Sequence, residues 1–63
     1  MRILLIEDEA DIAHAVLRFL RDEGHAVDHA ADRAAAEAAL SVAEFDAIVL
    51  DLALPDGSGL DLL

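Results

Sequence analysis

Three carboxylates in this chain stand directly after runs of aliphatic side chains. Glu7 and Asp8 follow Ile3-Leu4-Leu5-Ile6, and Asp51 follows Ala47-Ile48-Val49-Leu50. An acid in such a place has a bland use, as a helix cap or a solvated turn. Glu7 and Asp8 fit that use well. Asp51 fits it less, because a buried aliphatic strand seldom ends in an acid flanked by leucines without a partner for the charge. If the two runs are neighbouring strands, the three carboxylates share one crevice, where like charges destabilise one another and a divalent cation relieves the cost. Oxygen donors without Cys or His favour a hard ion such as Mg²⁺. A carboxylate beside that ion can attack phosphorus and form an aspartyl phosphate. Pro55 and Gly57 mark a turn just beyond Asp51, close to where such a ligand would lie.

The elements that must position these acids are legible in the hydrophobic pattern. Residues 2–6 and 46–51 are continuous aliphatic runs, as expected of strands covered on both faces of a parallel sheet. Between them, Ile12, Ala13, Val16, Leu17 and Leu20 repeat at helical spacing and predict one apolar stripe. Asp8 or Glu9 near the start of that helix and Arg18 and Arg21 near its end complement the helix dipole, and Gly24 is the expected terminator. Residues 26–30 form a short, weakly patterned strand. Asp32 is the expected N-cap of an alanine-rich helix over residues 33–42, whose small side chains suit close packing. Ser58 with Asp61 three residues later resembles a capping box, so a third helix is expected to begin there. Strand and helix thus alternate regularly with short connections, which implies an α/β architecture with parallel strands and right-handed crossovers. In such sheets ligands bind beyond the carboxyl ends of the strands, where the acids stand.

Composition narrows the function classes. With 63 residues only one domain is available, and without cysteines neither a disulfide nor a thiolate metal site can reinforce it. Fourteen acidic against four basic side chains give a net charge of −10, which a nucleic-acid backbone would repel. Direct nucleic-acid contact by this segment is therefore not expected. No apolar run approaches the roughly 18 residues that a membrane span needs, and Glu7-Asp8-Glu9 interrupts the only signal-like start, so a cytoplasmic location without membrane contact is expected. His14 falls on the polar side of the first helix, while His25 and His29 lie four apart on a strand-like segment and share no helical face. All three are expected at the surface, outside any metal site. Phe19 and Phe45 are expected to serve packing, and Asp22, Glu23, Asp28 and Asp32 to lie on solvated surface.

The segments R-I-L-L-I-E-D-E at residues 2–9 and I-V-L-D-L-A-L-P-D-G-S-G-L-D-L-L at residues 48–63 resemble the receiver domains of two-component systems. They are most similar to those attached to OmpR/PhoB-type winged-helix transcription factors, and the resemblance covers the whole chain. It implies a partial flavodoxin-like fold, with three parallel strands in the order 2-1-3 and helices on both faces. Residues 1–63 would be the N-terminal portion of a single receiver domain. The family's fourth and fifth strands are missing, and with them a Thr or Ser, a Lys and a switch aromatic. Asp51 would be the phospho-acceptor and, with Asp8, a direct Mg²⁺ ligand. Ala53 would add its backbone carbonyl, and Glu7 would act through a metal-bound water. Gly59 matches a glycine at the start of the family's third helix. The partner implied is a histidine kinase, and the module implied is a signalling phospho-acceptor rather than an enzyme, in a parent that regulates transcription.

Two other readings stand beside it. A three-stranded piece would expose its third strand as an apolar edge, so the chain could act as a self-associating module without phosphoryl-transfer activity, a homodimer or an element-swapped form. A Mg²⁺-dependent phosphohydrolase using Asp51 is disfavoured. Such enzymes generally need a second acid just after the nucleophile, and Ala53 stands there.

Overall fold

The computed structural model describes residues 1–50. Asp51, Ala53, the Pro55–Gly57 turn, Gly59 and the expected third helix lie outside the described residues. Within them the order is strand β1 (Arg2–Ile6), helix α1 (Ala10–Asp22), strand β2 (Ala26–Ala30), helix α2 (Arg33–Val42) and strand β3 (Ala47–Leu50). The strands form one parallel sheet in the order β2-β1-β3. This is the architecture of a partial receiver, or flavodoxin-like, fold.

Side chains alternate between the two faces of β1, and each face has its own core. Ile3 and Leu5 pack with Val27 of β2 and with Ala13 and Leu17 of α1, flanked by Val16, Leu20 and Ala47. Leu4 and Ile6 pack with Ala30 and with Ala36 of α2, flanked by Ala39, Phe45 and Leu50. Helices therefore cover both faces, and the central strand is the most deeply buried element, with Leu4 completely inaccessible. That double burial is why residues 3–6 read as a continuous apolar run rather than an alternating one.

The helix ends follow the expected local chemistry. Gly24 adopts φ +92°, a left-handed conformation open to glycine. The amide of Gly24 donates to the Arg21 carbonyl at 3.0 Å and that of His25 to the Leu20 carbonyl at 3.2 Å, a Schellman closure of α1. At the start of α2, Asp32 Oδ1 accepts from the Ala35 amide at 2.7 Å, a side-chain N-cap.

Two packing expectations are corrected. Ile12 and Phe19, seven residues apart on α1, are 52% and 64% exposed. The buried stripe is narrower than the apolar pattern, because Ala13 and Leu17 take the centre and the flank carrying Ile12 and Phe19 meets no described element. In α2 Ala36 is buried and Ala39 packs partly buried beside it, so the alanine cluster packs through one narrow side and not through a broad face. Asp28 is exposed, as expected, and its carboxylate pairs at the surface with the Arg2 guanidinium at 3.0 Å. Phe45 does pack, and the Arg2 guanidinium lies 5.2 Å from its ring centroid.

Candidate functional site

Register decides where the acids stand. Ile6, the last residue of β1, is the Cα partner of both Ala30 in β2 and Leu50 in β3. Glu7 and Asp8 leave the sheet from the carboxyl end of the central strand, and Asp51 follows Leu50 by one peptide bond. The neighbouring arrangement of the first and third strands, on which convergence of the three acids depends, is thus present. The side chains of Asp51 and Ala53 lie outside the described residues.

The described half of the site is built around Glu7. Its amide donates to the Ala30 carbonyl at 3.1 Å, which extends the β1–β2 ladder by one step. Its carbonyl accepts from His29 Nε2 at 2.8 Å. A carbonyl oxygen can only accept, so Nε2 carries the hydrogen. Its carboxylate Oε1 accepts from the Glu9 amide at 3.1 Å, and Glu9 is the N-cap residue of α1. The Glu9 side chain makes no capping bond of its own. Of the two acids for which a capping use was expected, Glu7 takes it, in a local form, and Asp8 does not.

Asp8 is exposed and makes no hydrogen bond or ion pair among the described residues. Its carboxylate is left available to a ligand at the point where the chain turns from strand to helix. No group of three or more potential metal-ligating side chains occurs among the described residues, a search that does not reach Asp51. The donors present are hard oxygens on a strand-end loop, a chemistry that fits a small divalent cation better than a soft one.

The histidines separate. His14 is exposed on α1. His25 is partly buried, with Nδ1 accepting from the N-terminal amine at 3.1 Å. His29 is exposed, yet its ring reaches the acidic loop. Its connection to Glu7 was not anticipated. The only signal for it is its position one residue before the end of a strand paired in parallel with β1, and that pairing is a tertiary fact.

Comparison with known proteins agrees with this geometry. A family model described as "Response regulator receiver domain" matches residues 3–63. The response regulator protein PmrA of Pseudomonas aeruginosa is 49% identical over 63 residues, covering all of this chain and 28% of that protein. The two-component response regulator PhoP of the same organism is 45% identical, again covering all of this chain and 28% of that protein. The transcriptional regulatory protein TcrA of Mycobacterium tuberculosis is 42% identical over 98% of this chain and 24% of its own length. The chain thus spans roughly a quarter of the length of these curated relatives. Strand order, the acidic strand end and the match over nearly every residue lead to one assignment: the chain belongs to the response regulator receiver domain family, the signalling modules of two-component systems.

Proposed function

We propose that this chain takes a phosphoryl group from a histidine kinase onto Asp51, as the phospho-acceptor module of a cytoplasmic regulator of transcription. The observation that carries this reading is the parallel pairing of Ile6 with Leu50, the residues that immediately precede Glu7 and Asp51 in the sequence. In the transfer, an Asp51 carboxylate oxygen attacks phosphorus, a P–O bond forms and the P–N bond to the donor imidazole breaks. The leaving imidazole keeps the bonding electron pair and is protonated. Asp8 and Asp51 would hold Mg²⁺ directly, with the Ala53 carbonyl, and Glu7 through a water. The ion, when bound, neutralises charge on the phosphoryl oxygens. Glu7 suits an indirect role because its carboxylate is already engaged by the Glu9 amide. Asp8, which has no such partner among the described residues, suits a direct one.

The test is intact mass after incubation with Mg²⁺ and a small acyl-phosphate donor. A single phosphoryl adduct that disappears with chelator and in Asp51→Asn is the expected result. An adduct that persists in Asp51→Asn would overturn the assignment.

A second reading, self-association, is favoured by β3. It is one of the two edge strands among the described residues, and its Ile48 and Val49 are 37% and 40% exposed. An apolar edge of this kind is a template for pairing with another strand. Concentration-dependent mass by analytical ultracentrifugation tests it, and a monodisperse monomer at high concentration would rule it out.

A further inference from the structure

The three bonds to Glu7 leave it the most firmly held residue of the acidic loop, immediately before Asp8, which has none. Two of the three come from β2: the Ala30 carbonyl takes the Glu7 amide hydrogen, and His29 donates to the Glu7 carbonyl. The first continues the strand ladder. The second does not, because His29 reaches past the ladder with its side chain from a position paired with Leu5. The carbonyl it holds shares a rigid plane with the Asp8 amide. Holding that oxygen therefore fixes the plane from which the Asp8 backbone and carboxylate depart. Without it, the Glu7–Asp8 peptide unit itself would make no hydrogen bond among the described residues.

We propose that His29 is a positioning residue for the cation site, acting through the Glu7 carbonyl to orient Asp8. The proposal rests on the reading that Asp8 ligates Mg²⁺. Groups that orient metal ligands without touching the ion are a general feature of metal sites, and their loss lowers the affinity for the ion. His29 is exposed, so its bond adds little to the fold, and a purely structural role would leave the ion's affinity unchanged.

The experiment is a Mg²⁺ titration of the full-length protein, followed by calorimetry and by the ¹⁵N shift of the Asp8 amide, in the wild type and three variants. His29→Ala should weaken Mg²⁺ binding about three- to tenfold, with an unchanged thermal midpoint. His29→Gln, whose side-chain amide can donate to the same carbonyl, should recover binding to within about twofold of wild type. Asp8→Asn reports on the underlying site. Loss of affinity in Asp8→Asn with wild-type affinity in His29→Ala overturns the positioning role alone. Equal weakening in His29→Ala and His29→Gln overturns it too. Unchanged affinity in Asp8→Asn overturns the cation-site reading, and the role of His29 with it.

Discussion

Ile6 and Leu50 are Cα partners at the carboxyl ends of two adjacent parallel strands, and each is followed in sequence by an acid. Their pairing turns two separate sequence features into one candidate site. Removing a direct ligand from such a site should cost at least as much affinity as removing a group that only orients one, a loss on the order of tenfold. Asp8→Asn and Asp51→Asn are each expected to weaken Mg²⁺ binding by at least about tenfold, measured by calorimetry. Asp51→Asn alone removes the nucleophile as well, so only that variant should lose the phosphoryl adduct at saturating Mg²⁺.

Leu4 is completely buried between β1's neighbours and α2. Its replacement by alanine leaves a cavity lined by Ile6, Ala30 and Ala36, where the small alanines have little reach to fill it. Leu4→Ala should cost about 2–5 kcal/mol in unfolding free energy by denaturant titration. A loss of that size is a large share of the stability of a small domain.

Gly24 sits at φ +92° with open space where a Cβ would project. A substitution there meets no clash, so its whole cost is backbone strain in the left-handed region. Gly24→Ala should destabilise by about 1 kcal/mol in the same titration. A β-branched residue at this position should cost more than alanine.

Asp32 caps α2 through a 2.7 Å bond from the Ala35 amide. Asp32→Ala should cost about 1 kcal/mol, while Asp32→Asn or Asp32→Ser should retain most of the stability. Thermal unfolding monitored by circular dichroism at the helix band distinguishes the three.

Val49 is two-fifths exposed in β3, an edge strand of the sheet among the described residues. A lysine on such an edge opposes pairing with a second chain. Val49→Lys should shift any concentration-dependent association toward monomer in sedimentation velocity, and association unchanged by it would place the contact elsewhere.

Much of the framework was legible in the residues because local chemistry decides it. The aliphatic run before Glu7 reports burial on both faces, Gly24 reports a left-handed helix end, and Asp32 reports a cap. Each depends on interactions within a few residues of itself, or on the need to bury a continuous apolar segment. The pattern also set out an alternating α/β chain with acids at strand ends.

Tertiary structure decided what depends on neighbours distant in sequence. Periodicity placed Ile12 in the stripe of α1, and Phe19 was expected to pack. Helical spacing defines which residues share a side, but not how wide a side the sheet covers, and both are exposed. The alanines of α2 look equivalent in sequence, yet Ala36 is the one buried against β1 and β2, with Ala39 packed partly buried beside it. Arg2 and Asp28 are 26 residues apart and pair because parallel register sets their strands side by side. The same register brings His29 to the Glu7 carbonyl. Residue types and order determined which groups could do the chemistry; the parallel alignment of β2, β1 and β3 decided which strands carry them side by side.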